Sequence, residues 1–253
     1  MGATAGAGSP LVRTERDGDV GVLTLADPAH RNALSLEMTH AIAAAVASLS
    51  DVGALVLTAE PPVFCAGGSL DDLLSPRAPL EEMYAGFLAL SSASAPTIAA
   101  VGGACVGAGV NLPLACDVIV ATPSARFDPR FLDIGIHPGG GHLWRLSERV
   151  GRQAAAALVL CGAVLDGEEA AAKGLAWECV PEESLMETAL GLARRAAGRP
   201  RAVVERTKAS LDASVRGGLD EAMAVELEAQ RWSMATPEFA ERLAAMKARI
   251  DGL

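Results

Sequence analysis

The sequence lacks an uninterrupted apolar run of about 18 residues, the length a membrane-crossing helix requires, although 51% of its 253 residues are apolar. Its longest candidate, "PTIAAVGGACVGAGVNLPLAC", is punctured by glycines and by Pro113, so no span is expected. Basic residues are scarce as well: 21 Lys and Arg stand against 31 Asp and Glu, a formal net charge of −10. That balance argues against nucleic acid as a partner and leaves room for a phosphorylated small molecule beside a few clustered cations. The five cysteines (Cys65, Cys105, Cys116, Cys161 and Cys179) form no CxxC pair and sit among apolar residues, which predicts buried, reduced thiols rather than a metal or redox centre. A GxSxG elbow and a GKS or GKT phosphate loop are both missing, and Gly103, Gly107 and Gly109 do not fit GxGxxG. Serine hydrolase, P-loop and dinucleotide chemistry are therefore set aside. The opening "MGATAGAGSP" has no basic region and no apolar core. Residues 1–10 read as a flexible tail rather than a signal peptide, and the expected location is the cytoplasm.

What the chain has is a repeated unit of strand, glycine-rich turn and helix. "DVGVLTLA", Asp19 to Ala26, alternates as a strand and runs through "DPAHRNALS" into a helix near Leu36 to Leu49. "GALVLTAE" is a buried strand leading to "VFCAGGSLDDL", where Ala66, Gly67 and Gly68 separate it from an acid-led helix at Leu70. After a break at "SPRAP", helix resumes from Leu80 to Ala93, and "APTIAAV" is a third strand running into "GGACVGAG" and an apolar helix, "VNLPLACD". "VIVATPSARFD" gives a fourth strand and loop; from Phe131 to "HPGGG" the chain is helical or irregular, and from Leu143 to Ile250 it is mostly helix. The unit thus occurs at 54–74 and at 97–116, which predicts an α/β core with helices gathered toward the C-terminus. Two such turns can each aim a backbone N–H at one oxygen, the geometry that stabilises an oxyanion; ordinary tight turns are the plainer alternative.

"FCAGGSLDDL", "GGACVGAGVNLPLACD", "RNALS" and "GLAWECVP" together resemble the enoyl-CoA hydratase/isomerase, or crotonase, superfamily, in order and spacing from about residue 10 to 250. The resemblance implies an α/β spiral of strand-strand-helix repeats over 11–195, followed by a helical trimerisation region over 196–253, in homotrimers or dimers of trimers. It implies an acyl-CoA substrate whose thioester enolate sits between two backbone amides, here Gly68 and Ala108. Coenzyme A is then part of the substrate, and neither a separate cofactor nor a metal is implied. Ala66, Gly67, Ser69 and Leu70 would line the CoA path, with Arg31 a partner for its phosphates or a solvated surface residue. The two glutamates that hydratases of the family use fall on Asn111 and Phe131, and neither side chain is a general base. Two histidines are candidates to move a proton instead: His137, and His142 at a place where the family has a small pocket-lining glycine, while Phe131 and Gly139 would count among the substrate-binding residues. Asp133 is a further candidate, turned away if its segment is helical. The implied protein is a lyase or isomerase of unspecified reaction, or a non-catalytic acyl-CoA binder that kept the loops. Asp117 is expected to be a structural acceptor, His30 and His40 surface groups.

Overall fold

The computed structural model describes residues 10–251, so most of the tail expected over 1–10 lies outside the described residues. Nine strands are described: β1 (Val12–Asp17), β2 (Val20–Leu25), β3 (Ala54–Ala59), β4 (Thr97–Val101), β5 (Ala104–Val106), β6 (Val118–Ala121), β7 (Arg126–Asp128), β8 (Leu165–Asp166) and β9 (Glu178–Cys179). The helices are α1 (Leu36–Ser48), α2 (Leu70–Leu74), α3 (Ala85–Ser91), α4 (Asn111–Leu114), α5 (His142–Leu160), α6 (Gly167–Ala172), α7 (Leu185–Ala197), α8 (Arg201–Arg216), α9 (Leu219–Met234) and α10 (Pro237–Asp251). They fall into two compact units, one running to Gly198 and one from Arg199.

In the first unit a six-stranded sheet runs β1-β2-β3-β4-β6-β9, and only the β1–β2 pair is antiparallel. A parallel sheet is covered on both faces, which is why its strands read as apolar runs. Residues of alternating parity separate the two faces. Leu23, Leu25, Leu55, Leu57, Ala99 and Val101 pack into one core with α1, α3 and α5, whereas Val20, Ala54, Val56, Ile98 and Ala100 meet Leu185, Ala189 and Ala193. Those last three recur every four residues on one stripe of α7. A second sheet, β5-β7-β8, stands beside the first and carries the turn that follows β4. The second unit consists of α8, α9 and α10, and Arg206 stacks on the Trp232 ring 4.1 Å from its centroid.

The α/β core with helices toward the C-terminus is as expected, and the expected helix from Leu36 is α1, capped by the Ser35 side chain accepting from the Met38 N–H. Several readings need correction. A strand, β1, precedes the one expected first; four of its six residues are exposed at the sheet edge, so no apolar alternation marks it. The segment after Val101 holds β5, which belongs to the second sheet, and β8 and β9 occupy positions read as interruptions between helices. Gly217 and Gly218 part α8 from α9. Cysteines 65, 105 and 116 are buried as expected, but Cys161 is exposed and Cys179 half-buried, and none of the five forms a disulfide.

Candidate functional site

The two glycine turns meet backbone to backbone. The loop after β3 is gripped from both sides: Cys65 N–H donates to Ala104 O and Cys65 O accepts from Val106 N–H, while on the other side Leu34 N–H donates to Gly67 O at 2.7 Å and Ser69 N–H to Leu34 O at 2.9 Å. In a parallel bridge of this kind Leu34 uses the groups of Gly67 and Ser69, which turns the N–H of Gly68 away from it. That N–H has no partner among the described backbone hydrogen bonds. Two glycines allow the approach. A Cβ on Gly67, whose φ is +102°, would stand 2.7 Å from Val106 O and 3.8 Å from Ala108 N, and one on Gly109 would stand 2.5 Å from Cys65 O. Ala108 lies in the first turn of a 3₁₀ segment, 107–110, where an N–H has no acceptor within the helix. Gly68 and Ala108 are both only partly buried.

Asn32 sets the position of this assembly, a role its sequence context did not signal. It is fully buried with φ 52°; its Oδ1 accepts from Asp27 N–H, and its Nδ2 donates to Glu60 O and Val63 O. One amide thereby ties the turn before α1 to the loop after β3. Arg31, beside it, is exposed; its C=O accepts from Ala66 N–H. Ser69 caps α2 by accepting from Asp72 N–H. The groove at Ser69 is acidic, with Asp27, Glu37, Asp71 and Asp72 along it. Its arginine, Arg77, is held by Glu37 and Asp72 at 2.6–2.8 Å, and the guanidinium holds the Glu37 carboxyl down to about 2. Leu70 is 67% exposed.

Three residues singled out in the sequence meet at one place. Asn111 opens α4, three residues after Ala108, and its Nδ2 donates to Gly139 O at 3.3 Å. Its Oδ1 accepts from His142 Nδ1 at 2.8 Å. Phe131 packs edge-on to the same imidazole, ring centroids 5.0 Å apart. The triple glycine before α5 makes this fit: a Cβ on Gly139 would strike the Tyr84 hydroxyl at 2.4 Å, and one on Gly140, at φ +68°, the Phe87 ring at 2.5 Å. His142 is 1% exposed, and its Nε2 has no hydrogen-bond partner. Burial first, and then the positive charge of Arg145, push the imidazole down to about 4. Arg145, another residue missed in the sequence, donates to Gly140 O and Ser91 Oγ and lies 6.0 Å from the Phe87 centroid.

The remaining candidates stand apart from this cluster. His137 and Asp133 are exposed, and His137 Nδ1 donates to Pro138 O at 2.7 Å. His30 and His40 are surface groups as expected, and Asp117 accepts from the N–H and hydroxyl of Thr97. Cys65 lies between the glycine turns, but burial pushes its thiol up to about 12, far from a reactive thiolate. Among the described residues no three His, Cys, Asp or Glu side chains gather as a metal site, and no helix is long and apolar enough to cross a membrane. The arrangement offers two amide donors, one buried imidazole and an apolar wall.

Known proteins share this architecture. A profile of the enoyl-CoA hydratase/isomerase family matches residues 15–248. A protein described as probable enoyl-CoA hydratase EchA14 of Mycobacterium tuberculosis (strain ATCC 25618 / H37Rv) is 43% identical over 92% of this chain and 96% of its own length. One described as a probable enoyl-CoA hydratase of Rhodobacter capsulatus is 35% identical over 87% of this chain and 88% of its own. The crystal structure of enoyl-CoA hydratase from Mycobacterium smegmatis matches with a TM-score of 0.89 at 29% identity, covering 95% of this chain and 97% of that one. With the α/β spiral, the interlocked glycine turns and a profile match over nearly the whole length, the chain belongs to the enoyl-CoA hydratase/isomerase, or crotonase, family.

Proposed function

We propose that the protein is an acyl-CoA enzyme that holds the thioester oxygen between the N–H groups of Gly68 and Ala108 and stabilises the enolate formed there. The observation that carries this reading is the reciprocal close approach of Gly67 to Val106 and of Gly109 to Cys65, which joins the two turns whose partly buried Gly68 and Ala108 have N–H groups without partners among the described backbone hydrogen bonds. Two fixed donors of this kind contribute about 3 kcal/mol each to a developing oxyanion in a dry site. Ala66, Gly67, Ser69 and Leu70 then border the CoA chain. The phosphates lie toward Arg31, because the groove at Ser69 is lined by carboxylates and its arginine is already engaged.

Asn111 and Phe131 supply no carboxylate at the two positions where the family resemblance puts the hydratase glutamates, so proton transfer in this chain runs through another group. The same absence favours a second reading, a binder of acyl-CoA without turnover. The working form is a homotrimer or a dimer of trimers in the cytoplasm. Mass spectrometry of saturated, 2-enoyl and 3-enoyl-CoAs incubated with the protein in D₂O separates the readings. Water addition, double-bond migration, cleavage or α-proton exchange is expected. Binding of the same thioesters with no mass change or exchange overturns the enzyme reading in favour of the binder, and no binding overturns both.

A further inference from the structure

His142 is a buried base with its orientation already decided. The Nδ2 of Asn111 is committed to Gly139 O, so the Asn111 oxygen is an acceptor and His142 Nδ1 carries the hydrogen. Nε2 is therefore the nitrogen with the free lone pair, and it is the one buried side-chain N or O atom without a partner among the described residues. A buried acceptor left unpaired costs stability, and such a group in a native structure calls for an explanation such as service to a ligand. Phe131 packs against the ring and Phe87 stands at Gly140, two residues before it, while Asn111 is three residues along the chain from Ala108.

We propose that His142 Nε2 is the single proton-carrying group of this site, with Asn111 as its positioning residue, and that it acts on 3-enoyl thioesters. This rests on the acyl-CoA reading above. In the step, the C2–H bond of the bound thioester breaks and an Nε2–H bond forms, while the C–H electron pair moves to the thioester oxygen on the Gly68 and Ala108 amides. The imidazolium then returns the same proton to C4 as the carbonyl re-forms, giving the 2-enoyl thioester with atoms and charge balanced. Nδ1–H remains on Asn111 throughout. A neutral base costs less to bury than a carboxylate. Once protonated it is more acidic than an ordinary imidazolium, because burial and Arg145 both oppose the charge, which favours giving the proton back. Nε2 has no hydrogen-bond partner among the described residues, so the proton it takes up has no neighbouring group to pass to and is expected to be returned to the substrate.

Around the ring stand Arg145 on its own helix, Asn111 on α4 and Phe131 on the preceding turn, with the Phe87 ring of α3 at Gly140 and the Tyr84 hydroxyl at Gly139, while Asp133 is exposed and stands apart.

The test compares wild type, His142→Gln and Asn111→Asp with a 3-enoyl-CoA in D₂O, reading isomerisation, deuterium at C4, pH profile and affinity for a saturated acyl-CoA. Wild type is expected to isomerise with most of the C4 proton retained from substrate. His142→Gln is expected to lose about 10²–10⁴-fold in kcat while its affinity for the saturated acyl-CoA stays within about threefold. Asn111→Asp places a carboxylate on Nδ1–H and is expected to raise the acid limb of the rate profile by about one pH unit or more, a change that a merely structural contact would not produce. Isomerisation by His142→Gln within about threefold of wild type, full solvent deuterium at C4, or an unmoved acid limb overturns the proposal. So does acyl-CoA binding by wild type with no turnover, which leaves the binding reading intact. Failure to bind any acyl-CoA overturns the reading beneath it.

Discussion

At His142 the imidazole exchanges bulk water for one hydrogen bond to Asn111, an aromatic edge and a nearby guanidinium. The fold thus holds the neutral form, with the ring moved from its ordinary 6.5 to about 4. The unfolded chain protonates first as pH drops, so it binds the extra proton between those two values and stability falls toward acid through that window. The full loss by about pH 4 is on the order of 3 kcal/mol. Urea unfolding of wild type and His142→Gln at pH 7 and pH 4.5 checks this. The variant is expected to show a smaller acid loss; equal losses in both proteins would remove the claim. The local sequence could raise His142 as a candidate but not choose it over His137, because the choice depends on Asn111, 31 residues earlier in the chain, and on which ring the triple glycine buries.

Among the elements, the joints matter more than the strands. Asn32 connects the turn before α1 with the loop after β3, and its amide satisfies three backbone groups. Truncation leaves those groups unpaired in a buried place, at about 1–3 kcal/mol each before relaxation or water entry. Asn32→Ala is expected to lower stability by about 2–4 kcal/mol and to weaken acyl-CoA binding, as thermal unfolding and calorimetric titration would show. A shift of under about 1 kcal/mol with unchanged binding would mean that the loop is held by β5 and Leu34 alone. The main strands and α1 were legible because each is long enough to show its pattern: β2 as an alternation, β3 and β4 as apolar runs, α1 behind its Ser35 cap. β8 and β9 have two residues each, too few to carry any period. The inverted backbone at Gly151, within α5, likewise has no signature in a stretch that otherwise reads as helix. Motif spacing brought Gly68, Ala108, Asn111 and Phe131 to notice, while Asn32 and Arg145 act through distant partners and stayed hidden.

For the whole molecule, the second unit leaves long apolar side chains in solvent. Leu219, Met223 and Leu227 recur along α9, and Leu243, Met246 and Ile250 along α10, all at least 45% exposed. Stripes at helical spacing on an isolated chain are suited to cover by another copy, which supports the proposed trimer. Sedimentation of the purified protein is expected to give a mass of three or six chains, and Leu243→Glu with Met246→Glu to shift it toward the monomer. A monomeric wild type at micromolar concentration would overturn that assembly.

The interlocked turns also decide which changes this site can absorb. A backbone N–H is carried by every residue type except proline, so the anchoring half of the site is indifferent to the side chain at position 108 so long as it fits, and alanine there costs no donor. On the proposed reading the half that moves protons consists of side chains and has no such tolerance. Thioester anchoring and proton transfer would then be separately mutable, the base open to change by single substitutions around Asn111 and His142 while the two turns keep their backbone donors.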